Sequence, residues 1–193
     1  MLEKLVLPEY VSISKEAGKV IKKIRELKTA GKKLCIAEVG VGIGATAIEI
    51  VRLLDENDTY YMFNFADNAC ELKADLEQLE FFRTTIYAYG NSTKTYDSYV
   101  WSLAKLWQES KGKELFDVVY LDGAHSFFHD GLACCLLKKL CKRGGILFFD
   151  DIDWSYSVST TMRSFGMENY TTEQAETCQV AMVVDIFMKD DEE

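Results

Sequence analysis

Apolar positions along the chain follow two patterns that alternate. Over 14–28, Ala17, Val20, Ile21, Ile24 and Leu27 recur at helical spacing. The runs 34–39, 59–65, 84–89, 116–121 and 146–149 are short and apolar, rich in β-branched and aromatic residues, and predict strands. Between them, 45–54, 69–82, 96–110 and 127–141 predict helices. A further helix is predicted within 158–165, and the apolar run 180–188 predicts a last strand. Strands alternating with helices imply βαβ units and a doubly wound, mostly parallel sheet with helices on both faces. In such sheets ligands bind beyond the carboxyl ends of the strands, so the informative residues should follow strands.

Composition narrows the picture. No linker, repeat or low-complexity tract divides the 193 residues, and one domain spanning 1–193 is expected. A net charge of -9 and a pI near 4.9 argue against a nucleic-acid partner. The lysines of 15–33 read as the solvated face of an amphipathic helix. Nothing resembles a signal peptide, and no apolar stretch is long enough to span a bilayer. The six cysteines show no CxxC pair and no zinc spacing, which points to reduced thiols in a cytoplasmic protein.

The strand at 34–39 runs into Glu38-Val39-Gly40-Val41-Gly42-Ile43-Gly44, and a helix follows. A nucleotide P-loop is excluded, because no Lys-Ser or Lys-Thr follows the glycines. Gly40, Gly42 and Ala45 satisfy a dinucleotide fingerprint loosely. The pattern of an acidic residue, any residue, then GxGxG is matched throughout. Small residues let a ligand lie against the backbone, and Glu38 could hold an ammonium. A tight strand–helix turn without a ligand would also use these glycines.

With "FDVVYLDGAHSF" (116–127) and "LLKKLCKRGGILFFDD" (136–151), this loop makes the chain resemble the class I S-adenosylmethionine-dependent methyltransferases. The resemblance covers about 34–155 and is nearest to the macrocin and catechol types of small-molecule O-methyltransferase. It implies a Rossmann-like methyltransferase fold and S-adenosylmethionine as cofactor, held by Glu38, Gly40, Gly42, Gly44 and Asp122. The family ends its second strand with an acid for the ribose hydroxyls. Asn64 stands there, with Asp67 three residues on as a substitute. Ser92, after the third strand, falls where relatives contact the adenine end. The usual Pro-Gly-Gly before the last core strand carries Arg143 in place of proline.

Asp122 ends one predicted strand, and Asp150 and Asp151 end the next. Three carboxylates on one rim repel unless protonated or bridged by a cation, and oxygen ligands suit Mg²⁺. The resemblance implies that Asp122, Asp150 and Asp151 hold such a metal. Alternatively, Asp122 serves the cofactor and Asp150 or Asp151 caps a turn. Relatives of the macrocin type often place a catalytic aspartate where Ala124 stands, and His125 beside it is the candidate base. Trp154 and Tyr156 could wall an acceptor pocket.

The expected activity is methyl transfer to an oxygen of a small hydroxylated acceptor, a sugar or natural product. Two other readings remain: an NAD-dependent oxidoreductase, and a degenerate nucleoside-binding or interaction domain. One strand after the last helix, where the full fold has two, predicts a shortened C-terminus and an edge that a homodimer could cover.

Overall fold

The computed structural model describes residues 2, 13–92, 94, 96–159 and 167–189, with only the backbone of 65–67. Five parallel strands form one sheet in the order β3-β2-β1-β4-β5. They are β1 (Cys35–Val39), β2 (Thr59–Phe65), β3 (Thr85–Asn91), β4 (Phe116–Leu121) and β5 (Cys141–Phe149). The helices are α1 (Lys15–Thr29), α2 (Ala45–Val51), α3 (Ala66–Glu77), α4 (Tyr99–Glu109), α5 (Phe127–Leu140), α6 (Thr172–Glu176) and α7 (Gln179–Phe187). The strand order reverses between β1 and β4, which creates a crevice at their carboxyl ends.

The pleat explains both layers. Ile36 of β1 stands opposite Tyr60 of β2 and Val118 of β4, so these side chains share a face. They pack with α1, α2 and α3 through Val20, Ile24, Ile50 and Leu72. Ala37, Val39, Phe63 and Val119 point to the other face, beneath Leu103 of α4, Leu137 of α5 and Val183 of α7. Both faces are covered, so the strands read as continuous apolar runs rather than alternating ones.

The run 180–188 is not a strand: it lies in α7, which packs on α5 with Phe127 and Phe187 stacked 6.0 Å apart. Val180, Val183, Val184 and Phe187 fall at i, i+3, i+4 and i+7, a helical stripe hidden in an all-apolar run. The expected final strand is therefore corrected, and among the described residues β5 is an edge strand. The helix expected within 158–165 falls largely outside the described residues; Val158 closes a 3-10 turn, Tyr156–Val158.

Between Phe116↔Cys141 and Val118↔Ile146 the β4–β5 register shifts, and the extra residues of β5 make a bulge around Arg143 and Gly144. Lys142 Nζ donates to Asp117 at 2.8 Å and the Arg143 amide to Glu114 at 2.9 Å. This end of the sheet is remote from the crevice. No helix among the described residues is long and apolar enough to cross a membrane, and all six cysteines are free thiols.

Candidate active site

The three loop glycines do three different jobs. A Cβ at Gly40 would collide with the backbone carbonyl of Asp122, so this glycine lets the β1 and β4 turns close on each other. At Gly44 a Cβ would strike Leu72, so that glycine seats α2 against α3. Gly42 has open space where a Cβ would go, and its φ is 51°. It faces a cavity of about 470 Å³ whose lining includes Glu38, Gly40, Thr46, Asn64, Asp122 and His125. A second cavity of about 350 Å³, reaching Asn91 and Ser98, shares Gly40, Asn64 and Gly123 with the first.

Glu38 is buried under the glycine loop and accepts a hydrogen bond from the Tyr60 hydroxyl. Burial pushes its carboxyl up to about 7, against the lowering effect of that bond. Asp122 is pushed up to about 8, first by burial and then by the charges of Asp150, Asp151 and Glu38. Acids therefore crowd the floor of the first cavity, and among the described residues no lysine or arginine lines it.

The three aspartates expected to hold a metal differ in their surroundings, and Asp122 and Asp150 share the lining of the first cavity. Asp150 is buried and its Oδ2 is occupied, accepting from the Tyr120 hydroxyl and, at 2.6 Å, from Ser14 Oγ. Its Oδ1 accepts from the Asp151 amide at 2.9 Å. Ser14 also caps α1, taking the Ala17 amide at 2.9 Å, so Asp150 braces β4, β5 and α1 together. Asp151 instead turns toward β4. Its Oδ2 lies 3.4 Å from His125 Nε2, and that nitrogen lies 3.9 Å from Asp122 Oδ1. Candidate ligand atoms of Asp122, His125 and Asp151 all lie within 4.8 Å of one another. Burial raises the Asp151 carboxyl, and the neighbouring His125 pulls it back.

A clamp holds the loop that carries His125. The Tyr99 hydroxyl donates to Asp130 and accepts the Ala124 amide at 3.1 Å. Asp130 accepts the Ser126 amide at 3.1 Å, and Tyr156 donates to the Ala124 carbonyl at 2.6 Å. Burial raises the Asp130 carboxyl. A Cβ at Gly123 would run into Asp130 and Tyr99, so the turn and the clamp require each other.

Of the other candidates, Asn64 borders both cavities. Asp67 lies in the first turn of α3, with its side chain outside the described residues. Ser92 is exposed and gives its amide to Asp97 at 2.6 Å; neighbouring Asn91 is the residue that lines the second cavity. Trp154 packs on His125 at 5.1 Å, and Tyr156 on Trp154 at 4.9 Å. Sequence reasoning missed Ser14, Tyr60, Tyr99, Tyr120 and Asp130. The tyrosines look like core residues until strand register, for Tyr60 and Tyr120, and helix packing, for Tyr99, bring each hydroxyl to an acid.

A family model described as a methyltransferase domain matches residues 37–152, the span from the glycine loop to the end of β5 and its aspartates. The chain belongs to this methyltransferase family. No curated protein matches it significantly. Among solved structures, this methyltransferase is similar to the O-methyltransferase TomG of Streptomyces achromogenes, involved in tomaymycin synthesis and solved with SAM. That likeness has 16% identity and a TM-score of 0.56, over 98% of this chain and 73% of that one. It is similar also to an O-methyltransferase of Bacillus cereus in complex with SAH, at 13% identity and TM-score 0.56, over 99% and 84%. The SAH-bound methyltransferase PaMTH1 of Podospora anserina follows at 14% and 0.52, over 95% and 72%. At such identities the likeness is one of fold: the parallel α/β sheet of class I methyltransferases.

Proposed function

We propose that this methyltransferase takes its methyl group from S-adenosylmethionine and places it on an oxygen of a small hydroxylated acceptor, a sugar or natural product, with a divalent cation assisting. One observation carries the reading: two neighbouring cavities share Gly40, Asn64 and Gly123 in their linings at the switch point, and Gly42 leaves its side-chain space empty beside the first. An elongated nucleoside ligand with an amino-acid end suits two cavities that lie side by side along these residues. Glu38 would hold the ammonium, Asn64 the ribose hydroxyls and Asn91 the far end.

When bound, S-adenosylmethionine supplies an electrophilic methyl on a positively charged sulfur. The chain's part is placement. Ile13, Val41 and Ile43 contribute apolar wall to the first cavity and limit water. Asp122, His125 and Asp151 offer two carboxylates and an imidazole at the rim. That mixed donor set suits Mn²⁺ at least as well as the Mg²⁺ expected from an all-carboxylate trio. A divalent cation there supplies Lewis acidity for an acceptor hydroxyl. Asp150, committed to Tyr120 and Ser14, stays a brace.

A second reading is favoured by the 3.4 Å separation of His125 and Asp151. Without a cation, the imidazole is the group placed to take the acceptor's proton, oriented by Asp151. One Nε2 cannot do both jobs, so the readings exclude each other.

The test has two stages. Calorimetry should show S-adenosylhomocysteine binding and no NAD binding; the reverse would reject the donor. A screen of hydroxylated acceptors with labelled donor then compares Mn²⁺ with excess EDTA. Transfer lost in EDTA supports the cation. Transfer that survives EDTA and disappears in His125→Ala supports the base.

A further inference from the structure

Glu38 raises a question that its place in the loop motif does not answer. It is 1% exposed, yet it borders the first cavity. Among the described residues no lysine or arginine faces it, and its side-chain hydrogen bond comes from a neutral phenol. A buried carboxylate with no countercharge is unfavourable unless something supplies the missing positive charge. Tyr60 raises the complementary question. It is fully buried within the apolar cluster of Ile36, Met62 and Leu72, where phenylalanine would pack as well. A hydroxyl there is a liability without a partner.

The register resolves both. Ile36 stands opposite Tyr60, and Glu38 opposite Met62, so Tyr60 and Glu38 share one face of neighbouring strands, one step apart on the diagonal. The phenol reaches forward along the sheet and meets Glu38 Oε2 below the glycine turn. The carboxylate keeps its second oxygen for another donor.

We infer that Tyr60 is a positioning residue, whose hydroxyl fixes the Glu38 carboxylate so that it receives the cationic amino end of the donor at the floor of the cavity. The inference rests on the donor reading given above and adds to it the residue that aims the acid. A neutral phenol brings no countercharge of its own and leaves the pairing of the acid to the ligand, whereas a lysine or arginine in the same place would already satisfy it. The acid is thereby selective for a ligand that brings its own cation.

The experiment compares two probes by calorimetry: S-adenosylhomocysteine, which carries the ammonium, and 5′-methylthioadenosine, which keeps the nucleoside and thioether and lacks the amino-acid end. Tyr60→Phe should weaken S-adenosylhomocysteine about tenfold, the scale of a lost charge-assisted hydrogen bond, and leave 5′-methylthioadenosine unchanged. Glu38→Gln should show the same selectivity with a larger loss, and the double variant should be no weaker than Glu38→Gln alone. Equal loss of both probes in Tyr60→Phe would make the phenol merely structural and overturn the inference, as would no loss at all. Should Tyr60→Phe not fold, Glu38→Gln still decides: indifference of both probes to it overturns the inference. Wild-type protein that binds neither probe overturns the inference together with the donor reading; binding of both with unselective variants overturns the inference alone.

Discussion

His125 and Asp151 meet across the ends of β4 and β5, with Nε2 and Oδ2 3.4 Å apart, and both stand on left-handed backbone, at φ 54° and 52°. That conformation costs a side chain of either type roughly 1–3 kcal/mol. The strain is paired, and it turns two groups from separate strands toward Asp122. In Asp151 it does so by bending the chain directly after Asp150, which is tied down by Tyr120 and Ser14.

The pairing sets the metal prediction. His125→Ala and Asp151→Asn should each weaken Mn²⁺ binding in calorimetry by about tenfold or more. Asp150→Asn should leave Mn²⁺ affinity nearly unchanged and lower stability by about 1–3 kcal/mol, because the amide keeps one acceptor oxygen and sets an NH2 donor against the remaining donors among Tyr120, Ser14 and the Asp151 amide. Metal loss in Asp150→Asn with none in His125→Ala would restore the all-carboxylate trio.

The glycine loop gives a second contrast. Gly42→Val should abolish S-adenosylhomocysteine binding while costing stability only the roughly 1–2 kcal/mol of a left-handed side chain. Gly44→Val should destabilise the fold more strongly through its clash with Leu72. Chemical denaturation and calorimetry on both variants check this; a fully binding Gly42→Val protein would move the ligand elsewhere.

Stability should depend on pH through Glu38. Its carboxyl is raised from 4.5 to about 7 by burial, so the folded state holds a proton that the unfolded state has released. The contribution is complete below the ordinary glutamate range and is lost as pH rises through about 7. The full span is on the order of 3 kcal/mol. Urea unfolding at pH 5 and pH 7.5 should show a smaller decline for Glu38→Gln than for wild type. Identical declines would mean that Glu38 is charged throughout.

The clamp on the His125 loop should be visible in hydrogen exchange. Tyr99→Phe removes the acceptor of the Ala124 amide and leaves Asp130 without its phenol, a loss of about 1–3 kcal/mol. Exchange at Ala124 and Ser126 should accelerate while β1 and β2 stay protected. Unchanged exchange at both amides would show that Gly123 and Tyr156 alone hold the turn.

Much of this architecture is legible from residue order. β2 and β4 begin and end where their apolar runs do, and Ser126 before Phe127 announces α5 through a cap that the structure makes, at 3.3 Å to the His129 amide. The glycine turn after β1 is legible because glycine spacing records close approach, here of Gly40 to the Asp122 carbonyl and of Gly44 to Leu72. The 179–187 helix was not, because an unbroken apolar run hides its period. Nor were the hydrogen bonds that engage Asp150 and leave Asp151 beside His125. Adjacent aspartates are chemically identical, and what separates them is one φ angle and a tyrosine arriving from the neighbouring strand. Tyr60, Tyr99 and Tyr120 were illegible for the same reason: a phenol's partner is set by register and tertiary packing.

The acidic lining of the first cavity, with Glu38, Asp122 and Asp150 and, among the described residues, no lysine or arginine, bears on turnover. Methyl transfer turns a sulfonium into a neutral thioether, so the donor enters with one more positive charge than the spent product retains. Carboxylates attract the first more than the second. The same walls that recruit donor would thus loosen their hold as the reaction completes, and product inhibition would be weak. Competition calorimetry should find S-adenosylmethionine bound more tightly than S-adenosylhomocysteine, with a margin that narrows as salt screens the cavity.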